Sequence, residues 1–116
     1  MAYFETAVVK SDLDISSTDF DTQIADWGLK SDAEVDDFLY NVATKARRIT
    51  ALPVLPLTTV QEGIKDASNH LVKAKYYYYV KNFELANEQR KEADRRIDAY
   101  INRLKVEKEI YGRIAR

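Results

Sequence analysis

The sequence predicts an all-α fold, a small bundle of three to four helices with a short N-terminal arm and an extended C-terminal segment. Only three glycines and two prolines occur in 116 residues, so few helix breakers interrupt the chain. Apolar residues recur at spacings of three and four along three long stretches, which is the helical period. The composition, 46% hydrophobic and 32% charged, is typical of a folded domain, and the length fits one domain with a modest core.

The first 47 residues predict an arm and one long helix. Residues 3–9 (YFETAVV) are apolar and predict either a strand or a packed arm. Residues 16–19 (SSTD) are residue types that favour helix N-caps. The helix that follows is expected to end near Arg47, and Gly28 within it marks a break or a close contact. Its apolar stripe consists of Phe20, Ile24, Trp27, Ser31, Val35, Phe38 and Val42.

Residues 49–59 (ITALPVLPLTT) predict the one clear loop of the chain. Each proline disfavours the helical conformation in the residue before it, so Leu52 and Leu55 are expected to be extended. Loops usually run over the surface, yet this one also carries Val54 and Leu57. We therefore expect the loop to pack against another part of the protein or against a partner.

Two further helices are predicted after the loop, the first capped by Thr58 or Thr59. A turn is expected at Lys81 and Asn82. The apolar seam of the second helix is Val60, Ile64, Ala67, Leu71, Ala74 and Tyr78. The corresponding face of the third helix is Ala86, Arg90, Ala93, Ile97, Tyr100 or Ile101, Leu104, Lys108 and Tyr111.

Four consecutive tyrosines lie at the end of the second predicted helix, in residues 73–83 (KAKYYYYVKNF). With about 100° per residue, the seam assigns Tyr78 to the core. Tyr76 then points to the opposite side, next to Val80. Either neighbouring helices cover this second side, or another subunit does, because tyrosine is favoured at interfaces. The sequence leaves both alternatives open.

Charge is distributed unevenly along the chain. Residues 1–46 carry ten acidic and three basic residues, a net charge of −7, whereas residues 47–80 and 81–116 each carry +3. Acids near helix N-termini and bases near C-termini account for most of this pattern. An acidic front and a basic back also favour head-to-tail attraction between copies.

No catalytic constellation is evident, so we expect no enzyme activity, no cofactor and no metal. The chain has no cysteine, and its single histidine, His70, lies at the edge of an apolar face. Asp36 and Asp37 are adjacent and point about 100° apart on a helix, which does not suit a shared metal. The N-terminus lacks a signal-peptide pattern and no stretch is long and apolar enough to span a membrane, so a soluble protein inside the cell is expected.

The order of these features resembles a known family. An arm (FETAVVKSDLDIS) precedes an acidic helix (DFDTQIADWGLKSDAEVDDFLYNVA) and an LPVLPL loop. A helix that runs into tyrosines (IKDASNHLVKAKYYYY) and a charged helix (ELANEQRKEADRRIDAYINRL) complete it. Over residues 3–104 the chain is similar to the head–tail connector, or adaptor, proteins of long-tailed viruses of bacteria and archaea.

The resemblance implies a structural virion protein that forms a homo-oligomeric ring, typically a dodecamer, between the portal and the tail. Double-stranded DNA would pass through the lumen without specific binding, and no membrane is involved. The expected partners are the portal and a tail-side stopper or tail-completion protein. The expected location is the head–tail junction of the virion, after synthesis in the host cytoplasm.

The resemblance also divides the chain into a connector domain, residues 1–104, and a segment, residues 105–116, that docks to the portal. The candidate portal-docking residues are Ile110, Tyr111, Arg113, Ile114 and Arg116. The candidate subunit-interface residues are Tyr76, Tyr79, Val80, Arg95 and Arg96.

The alternative is a small intracellular helical protein with a regulatory or nucleic-acid-binding role. It would use two arginine pairs, Arg47 with Arg48 and Arg95 with Arg96. The sequence pI of about 5.8 and the lack of a concentrated basic stripe argue against it.

Overall fold

The fold is all-α, as the sequence predicts. The computed structural model describes the backbone of residues 2–45, 55–57 and 59–114, and the side chains of residues 2–41, 55–57 and 59–103. Its elements in chain order are α1 (Thr6–Asp12), α2 (Asp21–Lys45), α3 (Glu62–Tyr79) and α4 (Phe83–Ile114), and the described residues contain no strand. The alternative of a strand at residues 3–9 is therefore wrong, since α1 begins at Thr6.

Several sequence predictions fall outside this description. They concern the end of the first long helix near Arg47, and the packing of Leu52 and Val54. Thr58 is also outside, but Thr59 is exposed and does not cap a helix. Instead α3 begins after Gln61, which makes no side-chain capping bond. The side chains not described at predicted helical positions are Val42, Leu104, Lys108 and Tyr111.

Helix α3 lies at the centre of the bundle, because it contacts α1, α2 and α4. A three-residue turn joins α3 to α4, so the two helices run antiparallel. Two side-chain contacts mark their register: His70 Nδ1, in the middle of α3, lies 2.6 Å from Gln89 Oε1, and Arg103 donates to Gln61 Oε1 at 3.1 Å at the start of α3.

The main core fills the space between α3, α4 and the second half of α2. Its buried apolar residues are Tyr3, Val35, Leu39, Leu57, Ile64, Ala67, Leu71, Ala93, Ile97, Tyr100 and Ile101. A smaller core forms where α1 crosses α2 and α3, and its buried residues are Val9, Ile24 and Val72. Four of the six seam residues predicted for α3 are buried, from Ile64 to Ala74, so most of that seam is confirmed.

The N-terminal arm inserts into the bundle through Tyr3, whose side chain is 1% exposed. The Tyr3 hydroxyl donates to Asp36 Oδ1 at 2.7 Å and accepts the Leu57 N–H at 2.6 Å. Burial raises the pKa of this hydroxyl above its ordinary value, and the bond to Asp36 adds to the rise. Burial also raises the pKa of Asp36, although the bond from Tyr3 opposes that shift. The apolar loop therefore packs, at Leu57, against its own chain.

A single carboxylate on α2 holds the backbone of the arm. Asp32 accepts the N–H groups of Tyr3 and Phe4 at 3.0 and 3.2 Å, and it accepts the Ser68 hydroxyl at 2.6 Å. These bonds satisfy backbone N–H groups of the arm that have no partner within a helix. They also join α2, α3 and the arm.

Asn69 on α3 fixes the start of α1. Its Oδ1 accepts the Glu5 N–H at 2.7 Å, and its amide donates back to the Glu5 carboxylate at 3.3 Å. Asn69 is 2% exposed, and its buried amide group is hydrogen-bonded to the arm.

Gly28 marks a close contact and not a break, because α2 continues through it. A Cβ atom at Gly28 would lie 2.5 Å from ring atoms of Phe4. The ring therefore covers the helix backbone directly.

We predict that Gly28→Ala destabilises the fold by about 1–3 kcal/mol, because the added methyl group overlaps the Phe4 ring. Gly63→Ala is the matched control in α3, since its Cβ meets nothing within 4 Å. It should stabilise the protein by up to about 1 kcal/mol through helix propensity. Denaturant unfolding of both variants measures the difference; equal effects would contradict the close contact.

We predict that Tyr3→Phe lowers the free energy of unfolding by about 1–3 kcal/mol, because the buried Leu57 N–H and Asp36 lose their partner. Tyr78→Phe, at a 68% exposed ring, is the control and should change it by less than about 0.5 kcal/mol.

The raised pKa of Tyr3 also predicts a pH dependence. Its contribution to stability is fully present below the ordinary value of 10.0 and is lost as the pH rises above it, because the unfolded state releases the proton first. Tyr3→Phe should therefore flatten the alkaline decline of the unfolding free energy. Parallel declines in wild type and variant would refute this assignment.

Candidate interaction surface

Large apolar side chains are exposed where α3 turns into α4. We call this group the aromatic tip: Tyr78, Tyr79, Val80 and Phe83, exposed by 68, 59, 44 and 53%. The rings of Tyr78 and Phe83 lie 5.2 Å apart at an interplanar angle of 67°. Exposed groups of large apolar side chains often mark interaction sites.

The turn itself explains why these side chains gather. Lys81 adopts a left-handed backbone with φ 63°, and the Asn82 N–H bonds back to the Tyr77 carbonyl at 2.8 Å, which is a Schellman helix end. The Asn82 side chain then accepts the Leu85 N–H at 3.3 Å and caps α4. The predicted turn at Lys81 and Asn82 is confirmed, and its shortness brings Phe83 beside Tyr78.

The core position predicted for Tyr78 is wrong, and of the two alternatives left open for Tyr76 the structure shows coverage by its own chain. Tyr76 is half-buried in its own chain, with ring centroids 5.6 Å from Phe20 and 6.4 Å from Trp27. Tyr79 also packs on these two rings, at 6.1 and 5.8 Å. Tyr78 lies mostly in solvent and not in the core.

The physical reason is that α3 buries two faces. One face, from Ile64 to Ala74, packs on α4, and the other, through Val72, packs on α1 and α2. Tyr78 continues the first face but lies at the turn, where α4 has just begun. The first buried residue of α4 is Ala86. The signal in the sequence for a second buried face on α3 is the pair of aromatic residues at the start of the α2 stripe, Phe20 and Trp27.

A groove of about 450 Å³ opens beside the aromatic tip. We call it the tip groove, and it lies between α2, α3 and the first turns of α4. It is lined by Trp27, Lys30, Lys75, Tyr78, Tyr79, Ala86, Asn87 and Arg90. Three aromatic rings and three cations thus share one concave surface, which sequence reasoning did not find because its residues come from three helices.

The cations of the tip groove have acidic partners within the chain. Glu34 binds Lys75 at 2.6 Å and Arg90 at 3.5 Å. Lys30 pairs with Asp26 at 2.9 Å on the surface of α2. Glu34 therefore links α2 to both α3 and α4 below the groove.

Part of the uneven charge of the sequence forms ion pairs within one chain. Lys73 pairs with Asp12 of α1 at 2.9 Å, as Lys75 pairs with Glu34 of α2. Basic residues of α3 thus attract the acidic first half of the same molecule. Head-to-tail attraction between copies stays a prediction for the charges that remain.

Arg95 and Arg96 lie away from the aromatic tip, about 18–20 Å along α4 from Phe83 at 1.5 Å per residue. Both pair with Glu92, at 2.9 and 3.3 Å, and Arg96 also approaches Asp66 at 3.6 Å. The structure therefore does not bring them together with Tyr79 and Val80. Arg47 and Arg48 lie outside the described residues.

The candidate portal-docking residues fall at the end of α4. The side chains of Ile110, Tyr111, Arg113 and Ile114 are not described, and Arg116 lies outside the described residues. The helix passes through Gly112 and ends at Ile114.

Helix α4 continues past the start of α3. Because Arg103 is level with Gln61, residues 104–114 extend about 16 Å beyond that point at 1.5 Å per residue. The backbone shows no break at the boundary predicted after residue 104.

The only histidine has a structural partner, since His70 bonds to Gln89 between α3 and α4. Among the described residues, no three His, Cys, Asp or Glu side chains form a group that could hold a metal ion. In the same part of the chain, every helix is too short or too polar to cross a membrane.

No protein-family model, curated protein or solved structure matches this chain. The resemblance to head–tail connector proteins therefore rests on the sequence features that carry it.

We predict that Tyr76→Asp destabilises the isolated chain by about 1–3 kcal/mol, because it removes ring contacts with Phe20 and Trp27. Tyr78→Asp is the matched control. Both charges lie in the last turn of α3 and meet the same unfavourable helix dipole, so the difference between them reports packing. Thermal unfolding of the two variants measures it, and equal melting temperatures would contradict the burial of Tyr76.

Proposed function

We propose that this chain is a structural virion protein that forms a homo-oligomeric ring, the adaptor between the portal and the tail of a long-tailed virus, with DNA passing through the lumen. The observation that carries the proposal is the aromatic tip, four large apolar side chains exposed by 44–68% beside an open groove. Interfaces are enriched in aromatic residues, and tyrosine hydroxyls can remain hydrated before assembly.

The arrangement of the helices supports a ring subunit. The aromatic tip and the projecting end of α4 lie at opposite ends of the molecule, because α4 runs from Phe83 away to Ile114. One end is then available for contacts between subunits and the other for the portal. The resemblance supplies the portal, the tail-side partner and the number of twelve subunits.

The proposal is of a binding and assembly role and not of an enzyme. The tip groove contains aromatic and cationic groups, but its cations are held by Glu34 and Asp26. Such a surface recognises a partner by apolar contact and charge.

Assembly can be tested by measuring the mass of the purified protein over a concentration series, with imaging of particles of a virus that encodes it. We predict that Phe83→Asp lowers the oligomeric fraction at least about tenfold, because it places a charge in an apolar contact. The folded monomer should persist, since Phe83 is 53% exposed.

Leu29→Asp is the matched control for that variant. Leu29 is 67% exposed on α2 and does not line the tip groove. Its charge should leave assembly within about twofold of wild type. A chain that stays monomeric at high concentration and is absent from assembled particles would refute the proposed ring.

Nucleic-acid binding is a second candidate function, favoured by the combination of Trp27, Tyr78 and Tyr79 with three cations in one groove. Aromatic rings stack on bases and cations meet phosphates. The pairing of Lys75 and Arg90 with Glu34 weakens this candidate. An affinity for single-stranded or duplex DNA that falls steeply with salt would favour it over the ring.

A further inference from the structure

We propose that the tip groove of one subunit receives the segment between α1 and α2 of the next subunit. This segment, residues 13–20 (LDISSTDF), is called the acidic connection here. The inference rests on the proposed ring and identifies the two surfaces that join its subunits. It assigns to the groove a peptide ligand that carries two carboxylates around an aliphatic side chain.

The acidic connection offers carboxylates that the chain does not use. Asp14 and Asp19 are exposed and make no ion pair with any described residue. The acids on either side of them are occupied, since Asp12 binds Lys73 and Asp21 binds Lys10 at 2.8 Å. Two carboxylates therefore remain available to a partner.

The shape of the first residues of the connection is fixed by the end of α1. Asp14 has φ 58°, and the Ile15 N–H bonds to the Lys10 carbonyl at 2.9 Å. The Asp14 N–H bonds to Ser11 at 3.2 Å, which completes a Schellman helix end. A connection held in one conformation loses less entropy on binding than a mobile one.

The start of the acidic connection lies on the side of α3 opposite the groove. Lys73 and Lys75 are two positions apart on α3, so their side chains point about 200° apart. Lys73 reaches Asp12 at the end of α1, whereas Lys75 lines the tip groove. The start of the connection thus follows the side of α3 that faces away from the groove, whereas its end, at Phe20, packs on Tyr79 of the groove lining.

The two surfaces also lie at the same end of the molecule. Phe20, the last residue of the acidic connection, packs on Tyr76 and Tyr79, and Tyr79 lines the groove. Contacts between two surfaces at the same level of a molecule repeat with rotation and little rise. That is the requirement for a ring, whereas a large rise gives an open filament.

Charge favours this occupant over a nucleic acid. Among the described residues, Lys30, Lys75 and Arg90 of the groove and its rim pair with two acids, Asp26 and Glu34. The excess of one positive charge is matched by a short acidic peptide, while a phosphate backbone needs a longer basic track. Aromatic walls suit the half-buried Ile15 and its neighbours.

The test uses disulfide cross-linking, which the absence of native cysteine makes clean. Ser16→Cys places a thiol in the exposed acidic connection, and Asn87→Cys places one in the groove. Because one subunit would carry both thiols, oxidation should yield a ladder of covalent multimers. Each single variant should give at most a dimer.

The control pair combines Ser16→Cys with Arg103→Cys, which is exposed at the far end of the bundle. It should give no ladder. If the wild-type protein oligomerises but the groove pair gives no ladder, the inference is overturned while the proposed ring stands. If the wild-type protein forms no oligomer at any concentration or on particles, the ring fails and the groove contact fails with it.

A charge reversal tests the same contact without oxidation. Asp14→Lys with Asp19→Lys should lower the oligomeric fraction at least about tenfold, and adding Lys30→Glu should restore part of it. Failure of the reversal to weaken assembly overturns the inference. Loss of single-stranded DNA binding in Lys30→Glu alone, with assembly unchanged, would assign the groove to nucleic acid instead.

Discussion

The buried hydroxyl of Tyr3 is the interaction on which the bundle depends. It donates to Asp36 of α2 and accepts from the backbone of Leu57, so one side chain joins three segments that are distant in sequence. Helix α2 and the loop would otherwise present an unpaired carboxylate and an unpaired N–H to an apolar core, which is unfavourable. In the same way, Asp32 and Asn69 accept hydrogen bonds from backbone N–H groups of the arm. The arm is therefore a structural element of the core.

This arrangement determines which surfaces remain outside. The arm and α1 occupy one side of α3 and α4 occupies another, while Phe20 and Trp27 cover Tyr76 where the end of α3 meets the start of α2. Tyr76 therefore packs inside its own chain, whereas Tyr78 is exposed at the turn. The candidate surface for assembly is thus a consequence of how three neighbours are placed around one helix.

Periodicity predicts the helices, the seam from Ile64 to Ala74 and the turn at Lys81, because these depend on local spacing and turn chemistry. It fails at Tyr78 and leaves Tyr76 undecided, because a helix with two buried faces cannot be assigned a single inner side. Periodicity also does not predict the tip groove or the hydrogen bonds of Asp32, because each joins residues from different elements. The start of α3 was misplaced because Thr59 has the chemistry of a cap but lies outside the helix.

The sequence separation of the arm's contacts has a kinetic consequence. Helices α3 and α4 close over a three-residue turn, whereas the bonds from Tyr3 and Glu5 span 54 and 64 residues. Closing long loops carries a larger entropic barrier, so local hairpins form early and distant contacts form late. We infer that the arm docks after the folding transition state. Its bonds then govern mainly how slowly the folded protein opens, and so its lifetime, while the rate of folding is set by the α3–α4 pair.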